Sequence, residues 1–493
     1  MLWGMQLALL VRMSGLLKQF QILILISLLP FMGHAQGAGR CELVFGSSGS
    51  VEVEIQNFLD DTLKGFEKLR GENGLVTDTV WIQAKGAHEF QIQTLNPDTS
   101  PTNIAVDLLI QAELVAGSHR TSANAFLARK NISKVLSVLE NVSFHQDTGL
   151  FFTRYSTDSQ SRVKDASVSS IDNLHLAIAL WTVKENFPKS ELGIRAGRLF
   201  DRMNFSVYYE ASSGLIGGNL KYEEGHWKRE AYNFANLGSE ARSLYGAGWA
   251  LGLFRNQKNE VGFVKKSLSS LKAEIYKSPE GRILKLWDGS AFQLFFPKIF
   301  ISEELYSAEF NSFYKSAGHY MVAEGQRRGL NVPAAHSAVR AALAENSDQP
   351  TYKDKAGNKK LVSSDNKDLI DIKLRKNWDS TFSPYALMMA ATSNPKELMP
   401  LFSEMKNFKS GEDLFYRPEM GWMEALEVKG YGKGQVVPAQ ISLNQGMIAL
   451  SLFQMQATDG LSLSGRSMYK NKKVRSGLEE FYKMADEKLV QAH

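Results

Sequence analysis

One cysteine, Cys41, in 493 residues excludes an internal disulfide and any metal cluster built on cysteine thiolates. Excess charge is also scarce. The formal value is +5, and about +3 remains once Arg12 and Lys18 of an N-terminal leader are set aside, too little to argue for a nucleic-acid partner. The basic stretches YKDKAGNKK and YKNKKVR therefore read as solvated loops. Long apolar runs are missing apart from ILILISLLPFM, which at 11 residues is too short for a bilayer that needs roughly 20. It follows a basic stretch without acids and precedes Gly33, His34 and Ala35, the order of a secretory leader. Residues 1–35 are accordingly expected to be a signal peptide cleaved near Ala35, with Met13 a workable start. Residues 36–50 would be a linker. The mature chain should be periplasmic or extracellular, with no integral membrane segment. No fixed-period repeat is visible, which argues against an open solenoid.

What is present is an ordinary globular composition, 44% hydrophobic and 22% charged. Apolar residues recur at helical spacing over 51–70, 101–117, 122–140, 168–186, 189–203, 239–254, 258–276, 303–328, 383–407, 438–456 and 476–490. Strand-like pieces are few: SVYYE, GLIGGNL and GLFFTRY. The fold expected over 51–493 is all-α, a barrel of helical hairpins with short extended arms. Residues 346–371 form a polar excursion, either a lid or a plain insertion.

Several helix starts carry more polar groups than one cap requires. Ser100 and Pro101 suffice to begin a helix, yet Thr102 and Asn103 follow. Ser170, Asp172 and Asn173 open the next apolar helix, and Ser239, Glu240 and Arg242 a third. Each start alone is what capping demands. Together with Asp288, Glu424, Trp287, Trp422 and Tyr416, they would give a barrel one rim of acids, amides and aromatic faces, suited to a polyhydroxylated ligand. HWKRE spaces His226 and Glu230 as a metal pair could be, without a third ligand. GYGKGQ follows no clear strand, so no phosphate loop is expected. No cofactor and no metal are expected.

The ordered motifs TSPTNIA, SSIDN, GSEAR, WDGSAFQLFFP, FSPYALMMA, GWMEAL and SLNQGMIALSLF resemble those of the glycoamylase-like family, over about residues 50–457. That family includes a domain of cyclic β-1,2-glucan synthases and bacterial endo-β-1,2-glucanases. The resemblance implies an (α/α)6 barrel that hydrolyses or transfers glucan chains, with an oligo- or polysaccharide, a β-glucan, as partner. It places Thr102, Asn103, Asn173, Arg242, Trp287, Asp288, Gln293, Tyr385 and Trp422 at the substrate. The departures are Gln293, in AFQLFFP, and His336, in AAHSA, where related chains read glutamate. Glu424 matches a family glutamate.

Glycoside hydrolysis normally uses two carboxyls. Glu424 is expected to be one catalytic group. His336 could serve as a general acid, though not as a carboxylate nucleophile, and Asp172 and Glu240 remain as alternative acids. Two further readings stay open: a barrel that binds glycan without cleaving it, and a scaffold with a vestigial cleft.

Overall fold

The computed structural model describes residues 51–85, 89–116, 122–255, 260–286, 290–327, 332–333, 351–353, 359–361, 381–428 and 434–492. Gly49–His493 forms one compact unit. Within it helices alternate between two environments along the chain. The first are α1 (Val51–Glu67), α2 (Pro101–Ala116), α3 (Ser122–Asn141), α4 (Ser170–Asn186) and α5 (Glu191–Arg202). A helical run over 242–250, π-helical at Leu244–Gly248, comes next. Then follow α6 (Glu260–Ser270), α7 (Ala291–Ile301), α8 (Ala308–Arg327), α9 (Pro384–Ala391) and α10 (Pro395–Met405). Last are α11 (Ser442–Gln456), α12 (Leu463–Lys470) and α13 (Lys472–Gln491).

Helices α2, α4, α7, α9 and α11 and the π-helical segment are buried on nearly every side. Helices between them bury one stripe, as α1 does with Ile55, Phe58, Leu59, Thr62 and Phe66 and α3 with Ala128, Ile132, Val135, Leu136 and Leu139. The buried helices are neighbours in succession: α4 packs on α2, α2 on α11, α11 on α9 and α9 on α7, while α4 also touches the π-helical segment. Arg242 carries the succession from that segment to α7. Its Nη1 donates to the Gln293 carbonyl at 2.7 Å and its Nη2 to the Leu294 carbonyl at 2.5 Å.

The guanidinium of Arg242 also pairs with Glu303 at 2.8 Å, both side chains fully buried, and the hydroxyls of Tyr314 and Tyr482 donate to the same carboxylate. One ion pair thus ties the π-helical segment to α7, α8 and α13. Gly246 admits α13 to this junction, since a Cβ there would lie 3.0 Å from the Phe481 ring.

Small sheets hold the starts of the buried helices. They include β1 (Thr79–Ala84), β2 (Phe90–Asn96), β3 (Val168–Ser169), β4 (Asn219–Glu223) and β5 (His226–Arg229). Later in the chain are β6 (Thr381–Phe382), β7 (Ala425–Val428), β8 (Gly434–Val437) and β9 (Ala439–Ile441). Among these strands every pairing is antiparallel. β1 lies between β2 and β9, β4 between β3 and β5, and β7 between β6 and β8. β3, β6 and β9 run directly into α4, α9 and α11. Pairing at these strands therefore positions three helix N-termini.

The fold is mainly helical, in the alternating order of a helical barrel, with more strand than the three expected arms. The expected helix over 303–328 begins at 308, and that over 383–407 is two helices separated before Pro395. The pattern over 258–276 ends at Ser270 and gives way to the strand Ile275–Ser278. Two helices, α7 and α12, were not expected. Of the polar excursion only a short strand pair, Thr351–Lys353 with Lys359–Leu361, lies among the described residues.

Candidate functional site

The site is assembled from helix starts. Ser100 caps α2 by accepting the Asn103 N–H at 3.2 Å, and Ser169 caps α4 by accepting the Asp172 N–H at 3.3 Å. With the caps in place, the surplus polar groups are free for contacts between elements. Asp78, just before β1, gathers them: its Oδ1 accepts from Asn103 Nδ2 at 2.9 Å and Arg154 Nη1 at 2.8 Å. Its carbonyl accepts the N–H of Ser442, the first residue of α11, at 2.9 Å. Burial disfavours the charge on Arg154, but Asp78, aided by Asp172 and Asp98, holds the guanidinium pKa above its ordinary value.

Next along the rim, the Thr102 hydroxyl donates to Asp172 Oδ1, joining the starts of α2 and α4. The same oxygen lies 3.1 Å from Nδ1 of His175. His175 is buried against Phe296 and Phe300, with ring centroids 4.7 and 5.0 Å away, and burial pushes its pKa down to about 3. It is neutral at any physiological pH.

Glu240 opens the following helical run, and its N–H donates to Gln293 Oε1 at 2.8 Å. The exposed Tyr232 lies near both Asp172 and Glu240. Its hydroxyl lies so close over Gly218 that a Cβ there would approach it to 1.9 Å. Burial of the phenol, then the nearby charges of Glu230, Asp172 and Glu240, push its pKa up to about 12. Glu424, on the bend before β7, is buried, and its Oε1 accepts from Asn444 Nδ2, in the first turn of α11, at 2.7 Å. The Glu424 carbonyl accepts the hydroxyl of Ser383, which precedes α9, at 2.9 Å, and its N–H donates to the Ala439 carbonyl at 2.8 Å. Tyr385 is buried in the first turn of α9.

Asp172 and Glu240 are thus carried at helix starts, with Arg154, Tyr232 and a neutral histidine near Asp172, while the buried Glu424 lies on the bend between the strand Gly421–Trp422 and β7 and is tied to the start of α11. Such a rim can offer carboxylates and hydrogen bonds to a neutral polyol.

Several expected ligand contacts are instead internal. Arg242 is fully buried and spends its N–H groups on Glu303, Tyr314 and the carbonyls of Ser239, Gln293 and Leu294. Asn173 is also fully buried. Its amide donates to the carbonyls of Phe151 and Ser169 and accepts the Phe151 N–H. Trp422 lies in a core cluster with Phe58, Phe402, Phe415 and Tyr416, and Tyr416 donates to Asp61 on α1. These four side chains brace the rim and do not line it. Thr102, Asn103 and Gln293 sit on the rim with their polar groups directed at Asp172, Asp78 and Glu240. His226 lies on β5 with Nδ1 against the Glu224 carbonyl, while Glu230 pairs with Lys221 and Asn219, so the two form no metal pair. His336, Trp287 and Asp288 lie outside the described residues.

Asp78, Arg154, His175, Tyr232 and Asn444 were not singled out from the sequence. Only His175, one turn beyond Asp172 on the same helix, carried a signal that could have found it. Two surface hollows, one beside α3 at Lys134 and Arg162 and one beside α13 at Lys483 and Asp486, contain none of the rim carboxylates. Among the described residues no helix is long and apolar enough to cross a membrane, and no group of three or more His, Cys, Asp or Glu side chains is placed to hold a metal ion.

No protein-family model matches the chain, and no curated protein sequence matches it. Solved structures do. An endo-β-1,2-glucanase from Talaromyces funiculosus in complex with sophorose matches with a TM-score of 0.66 at 12% identity, over 90% of this chain and 92% of that one. An endo-β-1,2-glucanase from Chitinophaga pinensis, in complex with sophorotriose and glucose, matches with a TM-score of 0.65 at 10% identity, over 88% and 98%. A candidate glucoamylase from Bacteroides fragilis matches with a TM-score of 0.61 at 11% identity, again over 88% and 98%. At these identities the likeness is one of fold.

Proposed function

We propose that this chain is a glycoside hydrolase or transglycosylase acting on a β-linked glucan, with β-1,2-glucan the first substrate to try, inside a closed (α/α)6 barrel. The observation that carries the reading is that two helix starts place the half-buried carboxylates of Asp172 and Glu240 near one exposed phenol, Tyr232. Its support from likeness is the fold shared with enzymes whose structures hold sophorose and sophorotriose. Cleaving a glycosidic bond needs one group to protonate the departing oxygen and one carboxylate to attack the anomeric carbon or activate water. Asp172 and Glu240 both lie near Tyr232 and are half-buried, so a sugar resting on Tyr232 would have two carboxyl groups close by. Glu424 is proposed as a third participant.

The test is incubation with linear β-1,2-glucan, with β-1,3- and β-1,4-glucans as controls, followed by chromatography of the products. Release of short oligosaccharides is expected. A protein that neither cleaves nor binds any glucan overturns the reading. One observation favours a binding barrel instead: Gln293, which stands where related chains have glutamate, is occupied with the backbone of Glu240. That alternative predicts micromolar glucan affinity without turnover. The leader motivates a further proposal, export to the periplasm or beyond, which N-terminal sequencing of the native protein decides.

A further inference from the structure

We propose that Thr102 and His175 form a positioning pair that keeps Asp172 ionised, so that Asp172 serves as the carboxylate of the reaction and not as its proton donor. The inference rests on the glycosidase reading above and assigns a role within it. It starts from a count of protons. The Thr102 hydroxyl has one hydrogen and lies within hydrogen-bond reach of both Asp172 Oδ1 and His175 Nδ1. Two arrangements satisfy both contacts. In one, Nδ1–H donates to Thr102, which donates to an anionic Asp172. In the other, a protonated Asp172 donates to Thr102, which donates to a bare Nδ1.

Two features favour the first. Asp172 lies in the first turn of α4, where the unpaired N–H groups and helix dipole stabilise negative charge. Arg154 faces it from the neighbouring arm. Tyr208 and Tyr232 also lie near it among the described residues, both neutral at physiological pH because burial and nearby carboxylates raise their pKa values. Glu230 and Glu240 also lie near Tyr232, and α7 packs the rings of Phe296 and Phe300 against His175. The choice also settles the far side of the imidazole. His175 Nε2 is buried without a hydrogen-bond partner among the described residues. In the first arrangement that atom is a bare acceptor, whereas in the second it is a stranded N–H donor, the rarer condition. Proton donation to the departing sugar oxygen then falls to another rim acid.

The experiment is the pH dependence of kcat/KM on linear β-1,2-glucan for the wild type and for Thr102→Val, Thr102→Ser, His175→Asn and Asp172→Asn. Thr102→Val should move the acid limb upward by about one to two pH units, the worth of one hydrogen bond to a charged group. Thr102→Ser should restore the wild-type limb. His175→Asn, whose Nδ2 can donate where Nδ1 did, should stay near wild type even if Thr102→Val fails to fold, while His175→Leu, which leaves the Thr102–Asp172 bond but removes the donor behind it, should shift the limb in the same direction by less than Thr102→Val does. Asp172→Asn should lose turnover. A rate that depends on Asp172 but has the same acid limb in Thr102→Val and His175→Leu overturns the pair alone. A wild type without turnover, or one indifferent to Asp172→Asn, overturns the glycosidase reading and the pair's purpose with it.

Discussion

Asn444 donates its amide to the buried carboxylate of Glu424 at 2.7 Å, although the two are twenty positions apart and belong to different elements. The bond fixes a rim acid to the first turn of α11. Glu424→Gln keeps the shape of that side chain and removes its ability to ionise. If Glu424 takes part in proton transfer, kcat should fall about 10²- to 10⁴-fold with glucan affinity little changed. Asn444→Leu should lower stability by about 1–3 kcal/mol, because it leaves a buried acceptor without its donor. Initial rates and calorimetric titration check the first, urea denaturation the second.

Arg242 supplies a contrasting case, a polar residue in a rim motif whose work is structural. Removing one member of a buried pair leaves the other charge uncompensated, at a cost of about 3–5 kcal/mol. Arg242→Met should therefore destabilise by that amount. Changing both members, Arg242→Met with Glu303→Leu, should recover part of the loss. Chemical denaturation of the two variants measures the difference.

Tyr232 and Gly218 give a prediction about the ligand surface. Any side chain at position 218 meets the Tyr232 hydroxyl, so Gly218→Ala must displace the phenol from its place near Asp172 and Glu240. Under the proposed function, Gly218→Ala and Tyr232→Ala should both raise KM for glucan, and combining them should add little, as expected of coupled neighbours.

Glu113 sets a pH dependence at the opposite end of α2. Its buried carboxylate accepts the N–H of Leu463 at 2.7 Å, yet burial outweighs that bond and the pull of Arg466 and raises its pKa to about 7. The unfolded carboxyl titrates near about 4.3. Between these values the folded state holds a proton that the unfolded state has released. This contribution is therefore full below about pH 4.3 and lost as pH rises through about 7. Relative to Glu113→Gln, the wild type should lose on the order of 3 kcal/mol between pH 4 and pH 8, read from denaturation curves at the two pH values.

The parts of the fold legible in sequence were those with a two-sided pattern or a cap. Ser100 with Pro101, and Ser170 with Asp172 and Asn173, marked two starts to within two residues, although the cap of the second is Ser169. Helix α7 escaped because AFQLFFPKIFI is apolar on every side and contains Pro297, so it has no stripe to detect. Helix α12 escaped because eight residues are too few for a period. Most strands are two to five residues long, too short for alternation to register. Asp172 and Glu240 were legible as polar surplus at apolar helix starts, whereas Glu424 was marked only by its motif. The same surplus appears in Asn173 and Arg242, since bracing a start and lining it call for the same residue types. Asp78, Arg154 and Tyr232 sit on connections that have no periodicity, and only the tertiary arrangement brings them to the rim.

The most direct measurement is the product profile of linear β-1,2-glucan after incubation with wild type, Asp172→Asn, Glu240→Gln and Glu424→Gln at matched concentration. The account predicts oligosaccharide release by the wild type and its loss in Asp172→Asn and Glu240→Gln, which should still bind the polymer. Turnover that persists unchanged in all three variants would contradict it.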